Sequence, residues 1–186
     1  LALITGHLRN NDIAAALKAI DALDKKLPER ALAPQLRGRV LLSRNDIPGA
    51  TQAFETALAR EAHYFPAVAS LAAIDLAAGK PDEARKRFDA LLQANPGNHQ
   101  ALLSLAELAA RTGAPPEEGT RLTRSAVQAN PATPATHLAL INQLLGTGQT
   151  QPALVAAQAA VAALPNDLTV ADALGRALMA AGSVQK

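Results

Sequence analysis

The sequence predicts an all-α fold built from repeated pairs of antiparallel helices. Ala and Leu, which favour helices, supply 44 and 29 of the 186 residues. β-branched and aromatic residues are too few for a sheet of any size, since the chain has three Phe, one Tyr and no Trp. The third observation is a repeat with a period of about 34 residues, which is typical of stacked helical units.

Two series of residues define this period. The later members of a proline series lie one period apart, and its first two lie two periods apart, with Ala62 where another proline is due. A Gly/Asn series advances by one period at each step, and its fourth step contains a single extra residue. Gly and Asn can adopt the left-handed conformation at a helix end, and Pro suits the turn after a helix, so each period holds two helices. The series are Pro28, Pro96, Pro131 and Pro165, and Asn11, Asn45, Gly79, Gly113, Gly148 and Gly182.

The same signals place the individual helices. Asp12, Asp46 and the run Pro81-Asp82-Glu83 follow members of the Gly/Asn series and suit helix starts. We expect residues 1–9 to form a helix that lacks its beginning. The other predicted helices are 12–26, 29–43, 48–60, 64–78, 81–94, 98–112, 116–129, 133–146, 151–163 and 167–181.

Small residues recur at fixed positions of the period, where two helices can approach closely. Larger side chains such as Leu71, Leu105, Phe54 and Phe88 lie beside them in the sequence. One helix pair cannot bury its apolar face alone, so each pair must stack on the next. The small residues are Gly38, Ala72, Ala106 and Gly175 on first helices, and Ala16, Ala50, Ala84, Gly119 and Ala153 on second helices.

These residues resemble the tetratricopeptide repeat, a family of helix–turn–helix units with this period. The third unit matches best, through Leu71-Ala72, the run GKPDEA from Gly79 to Ala84, Phe88 and Pro96. The resemblance covers essentially the whole chain and implies an α-α superhelix, or solenoid, of about 11 helices. Asp75 and Leu144 depart from the family, which favours an aromatic residue in the middle of the first helix.

We therefore predict one array over residues 1–186. It consists of a partial repeat at 1–28, full repeats at 29–62, 63–96, 97–131 and 132–165, and the first helix of a further repeat at 166–186. The chain starts without Met and inside a helix, so we expect it to be a fragment of a longer array.

A narrower resemblance concerns cellular context. The runs GHLRNNDIAAALKAIDALDKKLPE and YFPAVASLAAIDLAAGKPDEARKRFDALL are similar to the tetratricopeptide repeat lipoproteins of the PEP-CTERM system. That family is encoded with exosortase and exopolysaccharide machinery in Gram-negative bacteria. The resemblance implies export and a lipid anchor at the periplasmic face of the membrane. This segment itself contains no signal peptide, lipobox cysteine or transmembrane helix.

The sequence offers little for catalysis, and we predict that the chain is not an enzyme. It has no Cys, and its four His occupy different phases of the repeat, so no metal site or other cofactor site is expected. Carboxylate pairs such as Asp82-Glu83 lie at helix starts, where they complement the helix dipole. A net charge of +2 and four aromatic residues give no basis for nucleic-acid binding. The alternative is a regulatory or substrate-presenting arm of a larger enzyme.

The remaining candidate is a protein-binding surface. In the family that the chain resembles, the first helices line a concave groove, which implies a peptide or protein segment as partner. Residues chosen by helical spacing form an apolar row interrupted by Arg39, Glu107, Asn142 and Arg176. These polar groups would fix the position of the partner along the groove. Each leucine could instead belong to the core between helices, and the convex face could bind instead. The predicted groove residues are Gln35, Arg39, Leu42, Leu76, Leu103, Glu107, Leu138, Asn142, Leu145, Asp172 and Arg176.

A charge-free stretch leaves one further alternative open. The chain between Arg124 and Asp167 includes no Asp, Glu, Lys or Arg. Its most apolar part, residues 152–164, is too short to cross a bilayer. The stretch predicts either a helix enclosed by its neighbours or an apolar contact surface.

Overall fold

The protein is all-α in a computed structural model that describes residues 2–10 and 12–183. The part of the chain so described folds into eleven helices and contains no strand, which confirms the predicted fold class. The helices are α1 (Ala2–Arg9), α2 (Ile13–Lys26), α3 (Leu32–Ser43), α4 (Ile47–Arg60), α5 (Phe65–Ala77), α6 (Pro81–Ala94), α7 (His99–Arg111), α8 (Pro116–Ala129), α9 (Pro134–Gly146), α10 (Thr150–Ala163) and α11 (Leu168–Ser183).

The turns confirm most of the predicted Gly/Asn series. Asn45 has a φ of 61°, and Gly79, Gly113 and Gly148 have φ between 72° and 73°, so these four residues adopt the left-handed conformation between helices. Gly182 departs from the series because it lies inside α11, which extends two residues beyond its predicted end. Asn11, the first member, lies outside the described residues.

Polar side chains begin several helices as predicted. Oδ1 of Asp12 accepts a hydrogen bond from the backbone N–H of Ala15, and Oδ1 of Asp46 accepts one from Gly49, both at 3.0 Å. Each bond satisfies one of the N–H groups that a helix start leaves unpaired. These caps fix where α2 and α4 begin.

The chain divides into two compact units, Leu1–Arg87 (unit 1) and Phe88–Lys186 (unit 2). The boundary falls within α6, and each unit is described by itself. The single array over 1–186 stays a prediction.

The core of unit 1 is centred on the ring of Phe54, which is fully buried among alanines and Leu71. Gly38 on α3 packs directly against that ring, because a Cβ added at Gly38 would lie 2.6 Å from Cδ1 of Phe54 and 2.8 Å from Cζ. This is the close helix approach that the small-residue series predicts. A second cluster joins Ile4, Ile20, Ala33 and Val40.

Polar contacts link successive helix pairs of unit 1. The guanidinium of Arg60 on α4 forms an ion pair with the Asp24 carboxylate on α2, and its Nη1 donates to the Arg30 carbonyl at 3.2 Å. The Glu61 carboxylate accepts a hydrogen bond from the backbone N–H of Ala31 at 3.1 Å and forms an ion pair with Arg30, whose Nε lies 2.7 Å away. These bonds connect α2 and α4 to the turn that precedes α3.

The Asp24–Arg60 pair makes the stability of unit 1 sensitive to acid. Hydrogen bonding from Arg60, reinforced by its charge, lowers the pKa of Asp24. A carboxylate whose folded pKa lies below its unfolded value of about 3.9 stabilises the fold above that pH, and the contribution is lost as pH falls through the folded pKa. The side chains are 22% and 33% exposed, for Arg60 and Asp24 respectively, so we expect a contribution of about 1 kcal/mol or less.

We therefore predict that Asp24→Asn lowers the free energy of unfolding at pH 6 but has little effect near pH 2. Urea unfolding gives the free energy of unfolding of the wild type and of the variant at each pH. Comparing the two proteins at the same pH removes the contributions of the other carboxylates. Glu55→Gln, which neutralises an exposed carboxylate on α4, is the matched control and should change stability equally at both pH values. An Asp24→Asn effect that is the same at pH 6 and pH 2 would contradict the prediction.

The core of unit 2 joins α9, α10 and α11. Ile141, Val170 and the small residues Ala157, Ala160 and Ala173 are completely buried there. At the approach of α8 to α9, a Cβ added at Gly119 would lie 2.6 Å from Nε2 of Gln143. That nitrogen donates to the Pro116 carbonyl at 3.2 Å and so links the two helices.

The charge-free stretch is partly enclosed by its neighbours, as one of the two alternatives predicts, and the apolar contact surface stays a prediction. The alanine face of α10 lies in the core, whereas Val155 on its opposite face is largely exposed. None of the helices among the described residues is long and apolar enough to cross a membrane.

Candidate functional site

The first helix of each pair presents most of the predicted groove residues, and we call their common face the first-helix surface. In unit 1 it is formed by α1, α3 and α5, and in unit 2 by α7, α9 and α11. Arg39 is exposed on this surface, and Leu42 and Leu76 are half-buried.

Gln35 lies deeper than helical spacing predicts. Its side chain is 5% exposed, and its Nε2 donates to the Pro66 carbonyl and to Oγ of Ser70, both at 3.2 Å. Ser70 Oγ donates to the same carbonyl at 2.8 Å. Gln35 therefore joins α3 to α5 and does not present its amide to a ligand.

A pocket of about 500 Å³ opens where α1, α2 and α3 meet, and we call it the basic pocket. Its floor is apolar, because Ile4 and Val40 are buried core residues. Arg39 is the charged side chain in its lining, and Thr5 and Ser43 add hydroxyl groups. The full lining is Ile4, Thr5, Leu8, Ile13, Leu36, Arg39, Val40 and Ser43.

A second pocket of about 500 Å³ opens where α3, α4 and α5 meet, and we call it the apolar pocket. Its one polar side chain is that of Asn45, in the turn between α3 and α4. No charged residue lines it. The lining is Leu42, Asn45, Ile47, Ala73, Ile74, Ala77 and Ala78.

Arg39 differs from several other arginines of unit 1 in having no carboxylate partner among the described residues. Arg30, Arg37, Arg60 and Arg87 all form ion pairs. The lining of the basic pocket contains no Asp or Glu. The Arg39 guanidinium is therefore available to an anionic group beside an apolar floor.

In unit 2 the structure brings three predicted residues together. Nη1 of Arg176 donates to Oδ1 of Asn142 at 3.0 Å, and its Nε donates to Oδ2 of Asp172 at 3.2 Å. The first contact links α11 to α9, the second lies within α11, and all three residues are exposed. Glu107 is exposed on α7.

The predicted leucines of unit 2 lie between the core and the surface. Leu138 and Leu145 are half-buried and pack against the core of unit 2. Leu103 is also half-buried. Part of each side chain therefore belongs to the fold, and part remains accessible on the first-helix surface.

Residues 1–64 and 70–134 match the tetratricopeptide repeat family. The chain belongs to this family. No curated protein sequence matches the chain.

Several proteins of known structure share its fold. The thermophilic protein TTC0263 of Thermus thermophilus is 20% identical, with a TM-score of 0.63, over 96% of this chain and 97% of that one. The type IV pilus biogenesis factor PilW is also 20% identical, with a TM-score of 0.63, over 97% and 87% of the two chains. YrrB, described as having an unusual peptide-binding site, is 16% identical, with a TM-score of 0.56, over 91% and 87%.

Sequence reasoning missed one surface feature of this tetratricopeptide repeat chain. A hollow of about 470 Å³ lies on α8 and is lined by Glu117, Arg121, Arg124 and several uncharged polar residues, among them Gln149. The signal was the pair Arg121 and Arg124, the last charged residues before the charge-free stretch. The hollow has polar and charged walls, so it suits hydrophobic anchors less well than the first-helix pockets do.

No group of three or more His, Asp or Glu side chains that could hold a metal ion occurs within residues 2–10 and 12–183. The four histidines are spread along the chain. Nδ1 of His7 lies 3.9 Å from Oδ2 of Asp12, and two others contact neighbouring turns or helix ends. A ring nitrogen of His137 lies 2.8 Å from the Pro131 carbonyl, and one of His99 lies 3.4 Å from the Asn130 side chain. Both contacts join a helix to a neighbouring turn or helix end, which is a structural role.

Proposed function

We propose that this chain is a non-catalytic scaffold that binds a peptide or protein segment on its first-helix surface. The observation that carries the proposal is the pair of pockets flanking α3, each with an apolar floor and each formed by residues of two successive repeats. Such pockets can bury side chains of a partner without a conformational change in the scaffold. The description of YrrB as peptide-binding supports the same use of the fold.

Binding would combine two contributions. Burial of apolar side chains supplies most of the affinity, at about 25 cal/mol per Å² removed from water. Sparse polar groups then select among apolar segments, because a mismatched partner leaves a charge or a hydrogen-bonding group unsatisfied. In unit 1 that group is Arg39, and in unit 2 the exposed groups are Glu107 and the linked Asn142, Asp172 and Arg176.

The finer part of the proposal concerns cellular context. The sequence resemblance to PEP-CTERM lipoproteins suggests that the scaffold serves protein sorting and exopolysaccharide export, from a lipid-anchored position at the periplasmic face of the membrane. Fractionation of cells that express the full-length gene, followed by protease treatment of spheroplasts, tests this position. Recovery in the cytosolic fraction would contradict it.

We predict that peptides selected from a displayed random library will bind through the first-helix surface. Arg39→Glu combined with Asn142→Ala should weaken their binding at least tenfold, because one partner group meets a reversed charge and another loses a hydrogen bond. Both positions are exposed, so helicity measured by circular dichroism should be unchanged.

The matched control is Lys18→Glu with Gln93→Ala, which makes comparable changes at exposed positions on second helices. The control should retain binding. Equal binding by the groove variant and the wild type would place the binding surface elsewhere, for example at the hollow on α8.

A further inference from the structure

We propose that the two pockets of unit 1 together bind one extended segment through two apolar side chains about three residues apart, with a carboxylate beside the one in the basic pocket. The inference rests on the proposed function and specifies the chemistry of its ligand. It follows from the sequence repeat that relates the two pockets and from the side chains in which they differ.

The pockets are images of each other, one repeat apart. Adding 34 to the number of a lining residue of the basic pocket gives, for five of them, a lining residue of the apolar pocket. The two pockets therefore have the same construction, and α3 forms the ridge between them. The equivalent pairs are Leu8 and Leu42, Ile13 and Ile47, Arg39 and Ala73, Val40 and Ile74, and Ser43 and Ala77.

The residues that differ between the two pockets distinguish one end of the surface from the other. The Leu, Ile and Val positions stay aliphatic, so both floors accept an apolar side chain. Arg39 is replaced by Ala73 and Ser43 by Ala77, so the charge and the hydroxyl group are confined to the basic pocket. A ligand that satisfies both pockets has a carboxylate near one anchor and none near the other.

The spacing of the anchors follows from helix packing. Neighbouring packed helices lie roughly 8–10 Å apart, so pockets on the two flanks of α3 are separated by about that distance. A chain in the extended polyproline II conformation advances about 3.1 Å per residue and turns once every three residues, so side chains at i and i+3 point the same way about 9 Å apart. Anchors at positions i and i+3 of an extended segment therefore fit both pockets.

The polar rims favour an extended segment over a helix. The Asn45 side chain at the apolar pocket has no hydrogen-bond partner among the described residues, and Oγ of Ser43 donates to the Val40 carbonyl at 2.7 Å, which leaves its lone pairs free. An extended peptide offers unpaired backbone N–H and C=O groups to such side chains, whereas a helix has already satisfied most of its own.

The test uses short fluorescein-labelled peptides that contain Leu-Glu-Gly-Leu or Leu-Gly-Glu-Leu. In the first peptide Glu follows the N-terminal Leu, and in the second it precedes the C-terminal Leu. A carboxylate can therefore lie beside Arg39 whichever way the peptide runs across the surface. Acetylated and amidated ends make Glu the sole carboxylate. Fluorescence anisotropy on titration with the full chain gives the dissociation constants, and circular dichroism checks that each variant is folded.

We expect replacement of the peptide Glu by Gln to weaken binding about fivefold to tenfold, as for one exposed charge-assisted hydrogen bond. Arg39→Gln should weaken binding of the Glu peptide equally. The two changes together should cost no more than either alone, because both remove the same contact. Lys18→Gln, at an exposed position on a second helix, is the control and should have no effect.

The apolar pocket has its own tests. Ala77→Phe places a ring in that pocket from an exposed position and should weaken binding of the Glu peptide to the level of a peptide in which the Leu farther from Glu is replaced by Ser. Ala73→Arg copies the basic pocket and should create a preference for a peptide with a second Glu. Peptides with Leu at i and i+1, or at i and i+7 in a helix, should bind less well than those with the i, i+3 spacing.

The outcomes separate this inference from the proposed function. If displayed peptides depend on the first-helix surface but show neither the i, i+3 spacing nor coupling of Glu to Arg39, the inference is wrong and the proposed function stands. A better fit of the i, i+7 helical peptide would replace the extended ligand by a helix. If selected peptides ignore the first-helix surface altogether, the proposed function itself fails.

Discussion

Replacing Phe54 with alanine is expected to lower the free energy of unfolding by about 3–5 kcal/mol, more than any other single truncation considered for this chain. The Phe54 side chain on α4 is fully buried. It packs among alanines of α4 and its neighbours and against Leu71 of α5. Alanines are too small to collapse into the space that the ring leaves, so most of the cavity would persist. The loss would thus include both the transfer free energy of the ring and the cost of the cavity.

Urea denaturation followed by circular dichroism at neutral pH measures this loss. Met179→Ala is the control, because it also truncates a large apolar side chain, but one that is 70% exposed. We expect the control to change stability by less than about 0.5 kcal/mol. A loss below about 1 kcal/mol for Phe54→Ala would show that the centre of unit 1 repacks freely, contrary to the arrangement of its core.

The helices and their turns could be predicted from sequence because their signals are local. A residue such as Gly79 ends a helix through its own backbone conformation, and Asp46 begins the next one through a bond to a residue three positions on. Neither signal depends on distant parts of the chain. Every predicted helix boundary within the described residues therefore falls within three residues of the observed one.

The candidate site could be predicted only in part, because depth and shape depend on other helices. Helical spacing placed both Gln35 and Arg39 on one face of α3, but only contact with Pro66 and Ser70 on α5 buries Gln35. The basic pocket also needs Ile13, which belongs to a second helix and was not considered for the groove. Spacing within one helix does not reveal which neighbouring side chains complete a pocket.

The second large effect on stability is expected for Gly38→Ala, which tests the close approach of α3 to α4. Gly38→Ala adds a Cβ within van der Waals overlap of the Phe54 ring, which cannot move because it is itself enclosed. Overpacking of this kind costs about 1–3 kcal/mol or more. Ala is otherwise favoured over Gly in a helix by about 1 kcal/mol, so a net loss of stability would show that the clash exceeds the gain in propensity.

Gly175 offers a matched control from the same chain. It occupies the same position of the repeat on α11, but a Cβ added there meets nothing within 4 Å, so Gly175→Ala should be neutral or stabilising by up to about 1 kcal/mol. In a Phe54→Ala background the ring is absent, and Gly38→Ala should then behave like Gly175→Ala. The double-mutant cycle, read from urea unfolding, measures the coupling between Gly38 and Phe54 directly. Equal costs of Gly38→Ala with and without the ring would mean that the glycine is required for another reason than the packing of α4 on α3.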